Sequence, residues 1–130
     1  MGFLPKVAVV GIVANAITER QVLLVRYQHT GDGDVVSHRI APFDIGSTNL
    51  RTRERFRNSL FAYSFTHVDD KTGLPDPKVC VFDIEHFLSM TPSGETFDED
   101  DLAARNRSAT GYDYRICRFA LLADRHWFGR

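Results

Sequence analysis

Arg51 to Phe65 reads RTRERFRNSLFAYSF, and its reading decides the fold. Side chains of an extended chain alternate between faces, so Arg51, Arg53, Arg55 and Arg57 would share one face. Thr52, Glu54, Phe56 and Asn58 would point the other way. The second half, Leu60 to Phe65, is almost wholly apolar or aromatic. As a strand, the stretch is a basic edge running into a buried core. As a helix, it is also self-consistent, because Phe56, Leu60 and Tyr63 fall at helical spacing. The flanking sequence has to choose.

Upstream, KVAVVGIVANAITER from Lys6 to Arg20 carries Val9, Ile12, Val13 and Ile17 on a helical stripe, behind Pro5 at a position suited to a first turn. Gly11 weakens this helix by up to about 1 kcal/mol relative to alanine. Gln21 to Gln28 (QVLLVRYQ) then switches to strand composition. The segment from His29 to Asp34 holds an Asp-Gly pair that favours a hairpin turn, and Val35 to Ile40 returns as its second strand. Pro42 places Ala41 to Ile45 at an edge or a strand end.

Downstream, His67 to Pro77 contains two prolines and a glycine and reads as a loop. Lys78 to Ile84 reads as a strand, which Glu85 to Met90 either continues or ends in a short helical turn. Thr91 to Gly94 reads as a turn. Leu102 to Arg107 suits a short helix, with the acidic run Asp98 to Asp101 near its positive end. Tyr112 to Leu122 has strand-like alternation, and His126 to Phe128 is an aromatic end. Short strands with closely spaced turns favour the strand reading of Leu60 to Phe65.

At 130 residues the chain is one domain-sized unit, long enough for a single core. Its net charge of -1 argues against a sequence-blind binder of nucleic acid and confines any basic patch to a local one. Cys80 and Cys117 sit in apolar runs and read as small buried hydrophobes. Nothing resembles a secretory leader, and no apolar run approaches the roughly 18 to 20 residues that span a bilayer. A cytoplasmic protein without a membrane partner is the expectation.

Sites for chemistry are sparse. The chain has no Gly-x-Ser-x-Gly elbow, phosphate-binding loop or dinucleotide fingerprint. Gly31 to Asp34 lacks the ligand spacing of a calcium loop. No two of His29, His38, His67, His86 and His126 lie three to five residues apart, and there is no Cys-x-x-Cys pair, so neither a metal nor another cofactor is expected. Asp83 and Glu85 alternate on a strand, without an evident partner for acid-base work. The arginines remain. Their planar forks suit phosphate or carboxylate, and Tyr27, His29, Phe56 and Tyr63 offer aromatic faces for stacking. The bland alternative is a solvated face whose arginines pair with Glu54, Asp44 and the acidic run.

Several segments resemble the WYL domain, an Sm- or SH3-like β-barrel found mostly in bacterial transcriptional regulators. Ile12 to Ile17 leading to Val25-Arg26-Tyr27 is similar to its opening helix and first strand. His38 to Pro42 is similar to the strand in which an arginine precedes a proline. Arg57 to Tyr63 resembles the central strand, and Phe82 to Phe87 with Thr91 to Phe97 resembles the closing strand and its Thr-Gly-Glu-x-Phe tail. The signature itself reads Asn58-Ser59-Leu60 here, Cys80 and His86 stand where arginines are common, and Arg51 to Phe56 reads as an insertion.

The resemblance implies a mainly β (α+β) fold: a small Sm/SH3-like barrel with an N-terminal helix over residues 1–98, and a mixed extension over 99–130 packed on the same domain. It implies a non-catalytic sensing module for a nucleotide or single-stranded nucleic acid, with ligand contact at Tyr27, Arg39, Arg57 and His86. His29, Arg53 and Arg55 join the set on chemical grounds. With no helix-turn-helix ahead of the domain, a separate DNA-binding or enzymatic protein is the expected partner. The alternative expectation is a protein-interaction module, self-associating as a homodimer through a sheet edge or the aromatic tail.

Overall fold

The computed structural model describes residues 2–45 and 59–106. Helix α1 spans Lys6–Glu19, and strands β1 (Gln21–Gln28), β2 (Val35–Ile45), β3 (Ser59–Ser64), β4 (Lys78–Asp83) and β5 (Phe87–Thr96) precede helix α2 (Glu99–Asn106). The stretch that decides the fold therefore resolves, over its described part, as a strand. Of the extension expected over 99–130, only α2 is described; its residues 107–130 and the arginines Arg51, Arg53, Arg55 and Arg57 lie outside the described residues.

Helix α1 buries Val9, Val13, Ala16 and Ile17, the spacing of one apolar stripe. It stops at Arg20, which adopts a left-handed conformation at φ 56°. That is uncommon for a side chain with a Cβ. Arg20 offsets the cost by capping: its Nη1 donates to the Ile17 carbonyl at 3.0 Å, and its Nη2 meets Glu99 Oε2 of α2 at 2.8 Å. One residue thus ends α1, opens β1 and ties down α2.

All neighbouring strands are antiparallel, in the order β4-β3-β2-β1-β5. The β1–β2 hairpin forms as the Asp-Gly turn predicts, and Thr30 closes it by accepting from the Gly33 amide at 3.0 Å. Pro42 lies inside β2, beyond Ile40, the last residue that pairs with β1, so its missing donor faces no partner strand. Thr91 to Gly94, expected as a turn, is part of β5. Their turn chemistry is expressed instead as a bulge. Between the pairs Leu23↔Pro92 and Gln21↔Thr96, β5 advances twice as far along the chain as β1. Gly94 supplies the φ of 90° that this bulge requires.

The sheet is rolled. β4 and β5 are its two edges, yet only Ile84, Glu85 and His86 separate them in sequence. Four strand spacings would hold the edges of a flat sheet about 19 Å apart. The chain from Asp83 to Phe87 reaches at most about 14 Å. The short link therefore enforces curvature. Even so, no ladder joins β4 to β5 among the described residues, so the closed barrel expected from the sequence is an open, curled sheet. Side chains fill the seam: Phe82 lies 4.9 Å from the Tyr27 ring and 5.6 Å from that of Phe87, centroid to centroid. Leu23, Val25, Ile40 and Met90 continue this core face. Helix α1 packs across β1, β2 and β5, and because Leu24 and Arg26 on the opposite face of β1 are exposed, the helix covers the core face.

Candidate functional site

Alternation along β1 and β2 sorts the predicted ligand residues onto two faces. Tyr27 pairs with Val36 and shares the core face with Val25. Arg39 pairs with Leu24 and shares the opposite face with Arg26. The proposed partners Tyr27 and Arg39 are therefore separated by the sheet. A single basic-aromatic patch containing both does not exist among the described residues.

Tyr27 is an element of the core. Its Oη accepts the Asp83 amide at 2.9 Å, and its ring is 5.0 Å from Phe87. Burial is the main reason its hydroxyl titrates above the ordinary tyrosine range; the Asp83 amide opposes that shift and the Asp83 carboxylate adds to it. His86 sits beside it in the β4–β5 link. The His86 Nδ1 donates to the His29 carbonyl at 2.8 Å, which fixes the tautomer because a carbonyl can only accept. The other nitrogen, Nε2, lies 3.8 Å from Asp83 Oδ2, and the ring stacks on Phe3 at 5.1 Å. His29 contributes its backbone to this contact, with its side chain exposed. These residues hold the hairpin turn against the link.

The opposite face is chemically different. Arg39 lies with its guanidinium carbon 4.6 Å from the centroid of Phe65, a cation-π geometry. Phe65 is positioned by its own amide, which donates to the Arg39 carbonyl at 2.9 Å, and by edge contact with Tyr63 at 5.2 Å. Tyr63 itself is buried, so it supports Phe65 from beneath and offers no stacking surface. Arg39 Nε donates to Glu95 Oε1 at 2.7 Å. Arg26 sits diagonally across the ladder, between Ser37 on β2 and Ser89 on β5. Leu24, 45% exposed, lies between Arg39 and Thr91. Two arginines, one presented aromatic ring, three small hydroxyl side chains and an exposed leucine thus share one surface. Such a set can hold an anionic group and an adjoining flat or apolar one.

Arg26, Phe65 and Glu95 were not among the predicted ligand residues. Arg26 was legible from its alternation with buried Val25 and Tyr27. Phe65 ends the apolar run that follows the arginines of 51–57. Glu95 carries no local signal, since its contact spans 56 residues of sequence.

Elsewhere, His38 Nδ1 meets Ser64 Oγ at 3.0 Å on the core face, and its ring lies edge-on to Phe82 at 5.2 Å. Burial, with His67 nearby, pulls the His38 pKa below its ordinary value. The Cys80 thiol is pushed up to about 11 by burial, in keeping with a packing role. Among the described residues no three His, Cys, Asp or Glu side chains converge as metal ligands, and no helix is long and apolar enough to cross a membrane.

No family model matches the chain, and no curated protein matches it. Among solved structures it is similar to the proteasome accessory factor B/C (PafBC) of Arthrobacter aurescens, at 17% identity with a TM-score of 0.48. The match covers 72% of this chain and 12% of that one, so this chain spans a small fraction of the length of the protein it resembles.

Proposed function

We propose that this domain is a non-catalytic, WYL-like regulatory module that binds an anionic ligand, a nucleotide or short single-stranded nucleic acid, on the face bearing Arg26 and Arg39. The observation that carries this reading is the Arg39 guanidinium carbon lying over the Phe65 ring, 4.6 Å from its centroid, with Arg26 on the same face. Phosphate would sit on the guanidinium groups. A base would stack at the Phe65–Leu24 border, with Ser37, Ser89 and Thr91 available to sugar or phosphate oxygens. Tyr27 and His86 act in this reading as supports of the fold, and a separate DNA-binding or enzymatic protein would receive the signal.

The test is a fluorescence-anisotropy titration of a labelled short oligothymidylate, with a nucleoside triphosphate as competitor, at two salt concentrations. Arg39→Ala is expected to weaken binding and flatten its salt dependence. Unchanged affinity and slope in that variant would sink the assignment.

A second reading is a protein-interaction module. Leu24 and Val35 are exposed on the same face, and Val81 on the edge strand β4 is 40% exposed. Light scattering of the wild type and of Leu24→Asp would decide it: a dimer converted to a monomer favours this reading, and a monomer in both forms removes its self-association version.

A further inference from the structure

We infer that Glu95 is a built-in competitor for the Arg39 site: its carboxylate already holds the guanidinium Nε–H, and an incoming anion must displace it to engage that edge of the fork. This rests on the reading of the Arg39 face as an anion site, and adds to it a device that sets the affinity.

Three observations carry the inference. The contact is charge-assisted and short, Nε to Oε1 at 2.7 Å, and it engages the same donor group that a phosphate would use. Both side chains are accessible, 37% and 56% exposed, so exchange of one anion for another needs no opening of the core. Glu95 also owes its position to a specific deformation of β5. It lies in the bulge between Leu23↔Pro92 and Gln21↔Thr96, directly after Gly94 at φ 90°, and its amide is held by Ser93 Oγ at 3.1 Å. A bulge re-aims the side chain it carries. Here it lets a residue of β5 reach across β1 to an arginine of β2, a contact that regular pairing does not provide.

An exposed ion pair is weak enough to be displaced, so the competitor sets a threshold and does not block the site. Replacing Glu95 by glutamine keeps the side chain's size and removes the competing charge. Glu95→Gln is therefore expected to bind the labelled oligothymidylate roughly two- to fivefold more tightly at low salt. In an Arg39→Ala background the same change is expected to have no effect. Glu99→Gln, which removes an equal charge from the Arg20 pair, serves as the control for net charge.

Unchanged or weaker binding by Glu95→Gln overturns the inference, as does equal tightening by Glu99→Gln. If neither wild type nor variant binds the oligonucleotide, the proposed function fails, and inorganic phosphate tests the competitor alone. The Arg39 Nε–H resonance should then shift at lower phosphate concentration in Glu95→Gln than in wild type. Superimposable titrations overturn the competition.

Discussion

The Asp83 amide donates a 2.9 Å hydrogen bond to Tyr27 Oη, although their strands are separated in the ladder by β2 and β3. Rolling of the sheet makes this possible, and the bond ties its two ends together. Tyr27 therefore does structural work that its aromatic character alone does not announce. Tyr27→Phe should lose about 0.5–1.5 kcal/mol, because the ring remains and one amide loses its acceptor. Tyr27→Ala should lose about 3–5 kcal/mol, through the cavity left beside Phe82 and Phe87. Urea denaturation measures both. Anion binding by Tyr27→Phe should match wild type, since the hydroxyl faces away from Arg39.

Stability should depend on pH through His38. Burial holds its folded pKa below the ordinary histidine value, so the unfolded chain takes up the proton more readily than the folded one. The neutral ring's contribution is fully present above the unfolded pKa. It is lost as pH falls below about 6.5 towards the depressed folded value. The group facing it from the neighbouring loop is His67, and any charge there adds to the loss. Urea midpoints measured from neutral to mildly acidic pH should fall in wild type and fall less in His38→Gln.

Arg26 gives a separable electrostatic prediction. It has no salt-bridge partner among the described residues, so Arg26→Ala should leave thermal stability within about 0.5 kcal/mol of wild type. If it contacts phosphate, the slope of log affinity against log salt should become shallower by about 0.7 for a single strand. Anisotropy titrations across salt concentrations measure the slope, and an unaltered one removes Arg26 from the site.

Two glycines should respond to alanine with opposite signs. Gly11 is an exposed position of α1 with open space where a Cβ would stand, so Gly11→Ala should stabilise the protein by up to about 1 kcal/mol. Gly94 also has open space, but its φ is 90°. Gly94→Ala should therefore cost about 1–2 kcal/mol through the backbone alone. Thermal melts of the two variants test the pair of signs together.

The sequence was most informative where structure is set locally. The stripe of α1, the Asp-Gly hairpin, the aromatic run of β3 and the acidic first turn of α2 all follow from short-range periodicity and turn chemistry. Thr91 to Gly94 misled because proline and glycine there accommodate a bulge in a strand that β1 holds in place. The site was harder to read. Alternation could have separated Tyr27 from Arg39 once the hairpin register was known, since both lie on paired strands. The contacts of Arg39 with Phe65 and Glu95 depend on which strands become neighbours, and no local pattern encodes that.

The strand order also implies an order in time. β1 to β4 form a meander in which each strand pairs with the next, so their ladders join parts of the chain closer in sequence than the β1–β5 ladder does. The β1–β5 ladder joins Leu23 to Pro92 and must bring together distant parts of the chain. Loop-closure entropy makes such a pairing late. The meander is then expected to assemble first, with β5 docking on an already formed β1. Substituting Ala62 on β3 by glycine should slow refolding, whereas Met90→Ala on β5 should mainly speed unfolding. Because Glu95 travels with β5, Arg39 is expected to acquire its internal competitor only at that final docking step.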